Sequence, residues 1–460
     1  MKYLKYTLIF FSLLLMNNSF AQQNDSAVIK SIFDEALKNY SAYNDLRYLC
    51  KNIGGRICGS KQSEIAIEWG KKVMTDLGFD KVYLQETKVR HWIRGDKEVA
   101  KVNSKISGNH NLTICALGTS VGTGESGIKA NIIEVKHLED VEKLGKENVK
   151  GKIIFYNRAA DQTLFNTFEA YGGVADQRVY GAIQAAKFGA IGVIVRSLTV
   201  ANDDFPHTGI MRYVDSLTKI PACAVSTMGA DSLSEWLLSD PNLELFIKMN
   251  CKEEPEVKSY NVIGELTGSE YPDEIILVGG HLDSWDTGEG AHDDGTGVAH
   301  SIETLRLLKE LNIKPKHTIR CVLFMDEEIA QRGARTYAEN VKEKNEKHII
   351  AIESDEGGFN PYGFEFNGND EQLNTIKNWC NKYLLDYGIY QVKQGYGGVD
   401  VSFLKDLDIP LCGLNVSFQR YMDYHHSPND IFEHVNRREL QLGAASIASL
   451  VYLIDKYGLK

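Results

Sequence analysis

The sequence predicts an α/β protein in which a mostly parallel central sheet, flanked by helices, carries an inserted smaller α/β module. After residue 256, apolar strands, polar loops and helices alternate, which is typical of a parallel sheet covered by helices. Before that point the chain changes to short β-like runs joined by Gly-rich turns, and the segments on either side of these runs do not form complete domains alone. We therefore expect one larger domain over 22–107 and 256–460, with the insert over 108–255.

The spacing of apolar residues predicts the individual elements. Residues 26–50 and 62–78 have apolar side chains every three or four positions, as amphipathic helices do, and residues 79–93 alternate as strands do. In the insert, "KANIIEV", "GKIIFYN", "AIGVIVRS" and "IPACAVS" predict short strands, and "GAIQAAKFGA" predicts a helix. Beyond the insert, "DEIILVGGHLDS", "HTIRCVLFMDEE" and "EKHIIAIESDEG" predict buried strands, and "TGVAHSIETLRLLKEL" predicts a helix between the first two.

The first 21 residues have the layout of a cleavable secretory signal. Lys2 and Lys5 precede an apolar stretch from Tyr6 to Met16, and small residues follow as far as Ala21. The apolar stretch is shorter than the ~20 residues that a membrane-spanning helix needs, so an uncleaved anchor is the weaker alternative. We expect export to the periplasm or the extracellular space, without a membrane anchor.

Composition limits the classes of partner. The chain has 460 residues, 43% of them hydrophobic and 25% charged, as in ordinary globular proteins of two or three domains. Its net charge of −11, with no visible basic face, argues against nucleic-acid and anionic-membrane partners. The eight cysteines are scattered without a CxxC pair, which argues against a cysteine-based zinc site.

Acidic and histidine side chains follow three of the predicted strands at their carboxyl ends. His281 follows the first strand, Glu328 the second and Asp355 the third. Because the carboxyl ends of parallel strands meet at one edge of a sheet, functional sites form there. The other candidates at this edge or in Gly-rich loops are Asp283, Asp293, Asp294, Glu327, His425, His426 and Asp430.

This residue set predicts a pair of zinc ions. Imidazole nitrogen together with carboxylate oxygen is the donor set of catalytic zinc. Two adjacent ions, roughly 3.5 to 4 Å apart, need a carboxylate that touches both. Asp293 is the candidate bridge, because Gly295 and Gly297 let the backbone fold closely around the metals. Asp283, two residues after His281, could fix that imidazole by accepting its other N–H.

Glu327 and Glu328 are expected to have different roles. Adjacent residues at the end of an extended strand point in opposite directions, so one can bind metal while the other faces the substrate. A carboxylate beside the ions could take a proton from the water that they activate and give it to a leaving amine. We assign the general base to Glu327 and the metal ligand to Glu328.

The motifs "GGHLDSWDTGEGAHDDGTG", "FMDEE", "AIESDEGG" and "HHSPNDIFEHVN" resemble those of the co-catalytic di-zinc aminopeptidases, metallopeptidase family 28, in its carboxypeptidase Q-like branch. The likeness also covers "IGGRICGSKQSEIAIEWGKKVMTDLGF" and therefore most of the chain after the signal. The resemblance implies the zinc-exopeptidase fold, which is phosphorylase/hydrolase-like. It also implies that the insert is a protease-associated domain, which helps to cover or shape the active-site cleft.

The resemblance further implies a role for each site residue. His281 and Asp355 would bind one zinc, Glu328 and His426 the other, with Asp293 as bridge, Glu327 as general base, and Asp283, Asp294 and Asp430 as supporting residues, Asp430 behind His426. Glu353 is the rival of Asp355 as ligand, and His425 is the rival of His426. Several secreted relatives have a tyrosine in the place of His425, where it can stabilise the oxyanion. We predict that His425 donates this hydrogen bond, the alternative being that it only packs.

The predicted activity is zinc-dependent hydrolysis of peptide bonds next to a free N-terminus, by an aminopeptidase or dipeptidase. Excess negative charge at the site should attract an α-ammonium group. A carboxypeptidase is the alternative, with Arg332, Arg335 or Arg420 available for a carboxylate. A non-catalytic binding protein and a one-zinc aminoacyl cyclase are further alternatives on the same fold. The expected partner is a peptide or dipeptide, and the sequence is compatible with a homodimer.

Overall fold

The computed structural model describes residues 25–459, so the predicted signal over 1–21 lies outside the described residues. Two eight-stranded sheets form the framework. In chain order the strands are β1 (Lys81–Ile93), β2 (Val99–Ser104), β3 (Gly108–Leu112), β4 (Ile114–Ala116), β5 (Ile128–Val135), β6 (Ile153–Tyr156), β7 (Gly192–Arg196), β8 (Ala222–Val225), β9 (Glu244–Lys248), β10 (Lys252–Leu266), β11 (Tyr271–His281), β12 (His317–Phe324), β13 (Lys347–Glu353), β14 (Pro361–Asn367), β15 (Gln391–Gln394) and β16 (Leu411–Val416).

The helices cover both sheets. In chain order they are α1 (25–38), α2 (Ser41–Tyr48), α3 (Lys61–Asp76), α4 (Leu138–Val149), α5 (Thr167–Gly172), α6 (Ala175–Lys187), α7 (Thr227–Ser239), α8 (Thr296–Glu310), α9 (Arg332–Lys344), α10 (Asp370–Trp379), α11 (Tyr421–Tyr424) and α12 (Arg437–Tyr457). None of them, within 25–459, is long and apolar enough to cross a membrane.

The helix predicted over 26–50 is divided into α1 and α2. The break falls at 39–40, where the side-chain oxygen of Asn39 accepts a hydrogen bond from the Ser41 N–H at 3.0 Å. Asparagine competes for backbone N–H groups in this way, which favours helix starts over helix interiors. The eight cysteines are all buried free thiols, so cross-links do not constrain the described residues.

The larger sheet has the order β1-β10-β12-β11-β13-β16-β14-β15. Its central strands β12, β11, β13 and β16 are parallel, as the alternation of strands and helices predicts, and antiparallel pairs lie toward its edges. Along β11, Ile276 and Val278 pack in a core with α8 and α12, whereas Leu277 packs in a second core with α9. Successive strand residues face opposite sides, so helices bury both faces of this sheet.

The smaller sheet has the order β3-β2-β9-β5-β6-β7-β8-β4 and lies in the chain between β1 and β10. Its first strand is β2, because β2 pairs antiparallel with both β3 and β9. The expected edge at residue 108 falls at the start of β3 and would split this pairing. The smaller sheet therefore begins at Val99 and ends at Lys248, and β10 of the larger sheet begins at Lys252.

The two sheets meet at the loop that follows β11. Gly118, after β4, lies so close to the indole of Trp285 that a Cβ there would be 1.9 Å from its Cη2 atom. On the side of the larger sheet, the Trp92 ring of β1 packs edge-on against Trp285, with ring centroids 6.3 Å apart. Arg94 binds Asp286 at 2.7 Å, where only 10% of the arginine side chain is exposed. The loop that begins the candidate site is therefore packed against the smaller sheet.

Gly118→Ala tests this junction. The added methyl group has no space beside Trp285, so we expect the free energy of unfolding to fall by about 1–3 kcal/mol, the usual cost of overpacking. Denaturant unfolding measures this change. Gly172→Ala is the matched control, because a Cβ at Gly172 meets no atom within 4 Å. Equal stability of the Gly118→Ala variant and the wild type would contradict the close packing.

Candidate metal centre

The site lies at the carboxyl end of the larger sheet. His281 is the last residue of β11, the central strand of the three. Glu328 follows the neighbouring strand β12, and Asp355 follows β13 on the other side. Parallel pairing therefore brings these three residues to one edge, as the sequence pattern predicts.

One group of donors surrounds the imidazole of His281. Its Nε2 atom lies 3.2 Å from Asp293 Oδ1 and 3.3 Å from Asp355 Oδ1. One ligand atom from each of the three residues lies within 4.8 Å of the others. These three side chains could hold one cation.

A second group surrounds His426. Its Nε2 atom lies 3.3 Å from Asp293 Oδ2 and 3.1 Å from Glu328 Oε2. Asp293 thus turns one oxygen toward His281 and the other toward His426. A carboxylate that bridges two ions needs this arrangement.

The donors fit divalent cations. Asp293 Oδ2 and Asp355 Oδ1 are buried and have no hydrogen-bond partner within residues 25–459. Burial raises the pKa of both Glu328 and Asp355, and the charge of Asp293 raises both further. Burying a carboxylate without a partner costs free energy, and a cation bound to these carboxylates and imidazoles would offset that cost. The chemistry of the set is that of catalytic zinc.

The tautomer of His281 suits metal binding. Its Nδ1 atom lies 3.0 Å from the main-chain oxygen of Asp283, which leaves the Nε2 lone pair toward Asp293 and Asp355. We expected the Asp283 carboxylate to accept this bond. Instead that carboxylate lies 4.0 Å from Nδ1 and accepts the N–H of Glu327 at 3.1 Å, because the chain turns after β11 and directs its carbonyl group to the ring.

The loop that carries Asp293 is held by two other carboxylates. Asp430 accepts the N–H of His292 at 2.7 Å and that of Asp293 at 3.1 Å. Asp294 accepts the N–H of His281 at 3.0 Å and that of Gly297 at 2.8 Å. Both residues therefore fix main-chain groups around the bridge.

Asp430 was expected behind His426, but its carboxylate is bonded to the Asp293 loop. The Nδ1 atom of His426 is buried, has no partner within 25–459, and faces the smaller sheet.

Gly297 explains why the Asp293 loop is tight, because a Cβ there would lie 1.9 Å from the Ser354 carbonyl oxygen. Glycine is needed at this position for close approach, as the sequence predicts.

Glu327 lines a cavity of about 820 Å³ together with four of the candidate ligands, Asp293, Glu328, Asp355 and His426. Its carboxylate makes no hydrogen bond to another residue of 25–459, whereas Glu328 points to His426 and accepts the N–H of Trp285 at 3.1 Å. Burial raises the pKa of Glu327 to about 8, opposed by His281 and reinforced by Asp355. The two adjacent glutamates are thus directed to different partners.

Glu353, the rival of Asp355, is occupied elsewhere. Its carboxylate accepts the N–H groups of Val399, Asp400 and Val401 at 3.1, 3.2 and 2.9 Å. It therefore fixes the loop after β15, and it is Asp355 that reaches His281.

His425 stacks on His426, with ring centroids 3.5 Å apart. Its Nε2 atom is 3.7 Å from Asp293 Oδ2, and its Nδ1 atom is buried without a partner in the described part of the chain. Burial lowers the pKa of His425 to about 4, so the ring is neutral at pH 7 and carries one N–H. It lines the cavity and can donate one hydrogen bond there.

Sequence reasoning missed two residues of the loop between β7 and β8 that contact the main chain of His425 and His426. His207 Nδ1 lies 2.7 Å from the carbonyl oxygen of His425, and the Thr208 N–H donates to the carbonyl oxygen of His426 at 2.8 Å. These contacts span 218 positions or more, and no motif marks either residue. Burial lowers the pKa of His207 to about 3, so it is neutral and donates a single N–H.

The three arginines proposed for a carboxylate are placed differently. Arg335 lines the cavity. Arg332 pairs with Glu256 at 2.5 Å, and Arg420 lies over the ring of Tyr424 at 5.1 Å. Only Arg335 of the three lines the cavity, and its guanidinium group lies over the ring of Phe403 at 4.4 Å.

Asp430→Ala tests the support of the bridging loop. Without this acceptor, the N–H groups of His292 and Asp293 lose their bonds and the bridge loses its fixed position. We expect zinc to bind about 10–100-fold more weakly, as for other residues that orient ligands. Zinc titration of the metal-free protein measures this change, with Asp406→Ala at an exposed acid as control. Unchanged zinc affinity would contradict the role.

Comparisons with known proteins identify the family of this chain. The profile described as Peptidase family M28 matches residues 261–451. Carboxypeptidase Q of Mus musculus is 33% identical over 413 residues, which cover 90% of this chain and 85% of the mouse protein. Carboxypeptidase Q of Homo sapiens is also 33% identical, over the same shares of the two chains.

Solved structures place the fold in the same group. The crystal structure of a Peptidase M28 precursor from Shewanella amazonensis matches with a TM-score of 0.90 and 33% identity, and the match covers 95% of this chain and 99% of that one. A zinc aminopeptidase from Bacillus subtilis has the same fold, with a TM-score of 0.65, 20% identity, and coverage of 90% and 94%. The chain therefore belongs to peptidase family M28, in the branch that contains carboxypeptidase Q, and is a metallopeptidase.

Proposed function

We propose that the protein is an exported, zinc-dependent exopeptidase that cleaves the peptide bond next to a free N-terminus, as an aminopeptidase or dipeptidase. The observation that carries this proposal is the carboxylate of Asp293, which faces His281 with one oxygen and His426 with the other. The export rests on the signal-like residues 1–21.

Two zinc ions per chain are proposed. His281 and Asp355 would hold one, Glu328 and His426 the other, and Asp293 both. When bound, such ions activate a water molecule and polarise the scissile carbonyl.

Glu327 is the proposed general base. It lies beside the ligands, lines the cavity, and has no protein partner for its carboxylate among the described residues. Burial raises the pKa of its carboxyl group above that of an exposed glutamate, so it holds a proton more readily. It would take the proton of the attacking water and deliver it to the leaving amine.

His425 is the proposed donor of a hydrogen bond to the oxyanion. Its neutral ring carries one N–H, and its Nε2 atom lies near Asp293 and the ligand cluster. A fixed donor at the point where negative charge develops stabilises the transition state more than the ground state.

The charge of the cavity favours a free N-terminus. Glu356 and Glu365 line it in addition to the proposed ligands, and neither forms an ion pair within 4 Å in the part of the chain described. An α-ammonium group would be attracted to this wall. The smaller sheet contributes Tyr171, Ile210 and other residues to the cavity, which supports its role as a protease-associated domain that shapes the cleft.

A carboxypeptidase is the second candidate. Arg212, Lys219 and Arg335 line the same cavity, so cations for a substrate carboxylate are present. The similar proteins from mouse and man are named carboxypeptidase Q. A dipeptide has both an α-ammonium group, which the acidic residues would attract, and a carboxylate, which the basic residues would attract.

Glu327→Gln tests the base. The amide has nearly the same shape but cannot accept the proton, so we expect kcat for dipeptides to fall about 10²–10⁴-fold. Zinc content, measured by atomic absorption, should stay the same, because Glu327 is not a proposed ligand. Glu339→Gln, at an exposed helix position, is the matched control. Unchanged turnover would remove Glu327 from this role.

Blocked dipeptides separate the two exopeptidase activities. If the α-ammonium group binds the acidic wall, N-acetylation should lower kcat/KM about tenfold or more, the effect of one lost charge-assisted hydrogen bond. C-terminal amidation should have a smaller effect. The reverse order of sensitivity would favour the carboxypeptidase.

A further inference from the structure

A tyrosine of the inserted module lines the cavity that contains the proposed reaction centre. Tyr171, in α5, lines the cavity together with Glu327, His425 and four of the candidate ligands. Its ring meets the ring of His425 edge-on, with centroids 5.1 Å apart and an interplanar angle of 89°. No motif in the sequence marks this residue, and the mechanism proposed above does not use it.

The hydrogen bonds of Tyr171 leave its proton free. Arg178, on α6, donates to the Tyr171 hydroxyl oxygen at 2.6 Å. A guanidinium group has no acceptor atom, so the hydroxyl cannot donate in return. Within residues 25–459, no acceptor lies within hydrogen-bonding distance of the hydroxyl. The tyrosine therefore has an O–H donor without a protein partner among the described residues, and Tyr171 lines the cavity.

Arg178 connects this donor to a proposed metal ligand. Only 5% of Arg178 is exposed, and its guanidinium carbon lies 5.3 Å from the centre of the Tyr171 ring. Another of its nitrogens donates to the carbonyl oxygen of Thr208 at 3.3 Å. The N–H of Thr208 in turn donates to the carbonyl oxygen of His426 at 2.8 Å. This chain of contacts fixes the hydroxyl relative to the metal ligands.

The cation also changes the strength of the donor. A hydroxyl that accepts a bond from a positive group becomes a better donor, because hydrogen bonds in a chain polarise one another. In a cavity of low dielectric constant, such a group stabilises developing negative charge without reorganisation.

We propose that Tyr171, in α5 of the inserted module, is a catalytic residue that donates a second hydrogen bond to the tetrahedral oxyanion, beside that of His425, and that Arg178 is its positioning residue. The inference rests on the proposed peptidase activity. Glu327 takes one proton from the attacking water as the carbon–oxygen bond forms and the carbonyl π pair moves to oxygen. As that pair re-forms the carbonyl, the carbon–nitrogen bond breaks and Glu327 protonates the amine. Tyr171 keeps its proton throughout.

Tyr171→Phe removes the hydroxyl and keeps the ring contact with His425. We expect kcat to fall about a hundredfold, the loss found when one oxyanion donor is removed, and KM to stay the same. Zinc content should not change. The affinity for a phosphinic dipeptide analogue, which has the tetrahedral shape, should fall by the same factor when measured by calorimetry. Tyr180→Phe, at an exposed tyrosine of α6, is the control and should match the wild type.

Three results would overturn the inference. One is an unchanged kcat, and another is a rise in KM alone, which would make Tyr171 a ground-state contact. The third is a loss of zinc in proportion to the loss of activity, which would make its role structural. If the wild type cleaves no dipeptide, the proposed function fails. Equal affinities of wild type and Tyr171→Phe for the phosphinic analogue would then decide against Tyr171 independently.

Arg178 is tested by non-additivity. If it acts through Tyr171, Arg178→Met should slow turnover, Arg178→Lys should restore part of the rate, and the double variant with Tyr171→Phe should be no slower than Tyr171→Phe alone. The zinc content of the Arg178 variants is measured as well, because the loss of the Thr208 contact would affect His426, a proposed ligand. Additive losses would overturn the assignment of Arg178 as the positioning residue.

Discussion

The structure depends on one carboxylate that serves two histidines. Asp293 faces His281 at 3.2 Å and His426 at 3.3 Å, and these histidines come from a central strand and from a loop far along the chain. A shared ligand works only if its own loop is fixed. The loop is buried, so its N–H groups need acceptors, and Asp430 supplies them. The same two hydrogen bonds therefore satisfy buried main-chain N–H groups and hold the bridging carboxylate in position.

The two sheets contribute differently to the cavity. The larger sheet brings the acids and His281 to one edge through parallel pairing, which places charge but leaves the edge open. The smaller sheet adds the facing wall, with Tyr171 and Arg212. Its residues also hold the main chain of the His425–His426 pair. The site thus combines charged residues at the edge of the larger sheet with polar residues of the inserted module.

The strand-end residues could be predicted from the sequence because a physical rule covers them: parallel strands end at a common edge. His426 lies on no such strand, and only the family resemblance selected it. Side-chain partners were less predictable. Asp283 reaches His281 through its carbonyl oxygen, and Glu353 is used by loop N–H groups, since main-chain donors compete for buried carboxylates and a sequence does not reveal their positions. The contacts of His207 span 218 positions and carry no local signal.

The hydrogen bonds from His207 and Thr208 to His425 and His426 attach the inserted module directly to the loop that holds a proposed ligand. A chain shortened to the larger sheet would keep most of the acids but lose the anchors of the loop that holds His426, so the module is not a detachable cover. Exchanging it between relatives would alter the geometry of the reaction centre itself, and divergence in this module would tune chemistry as well as access.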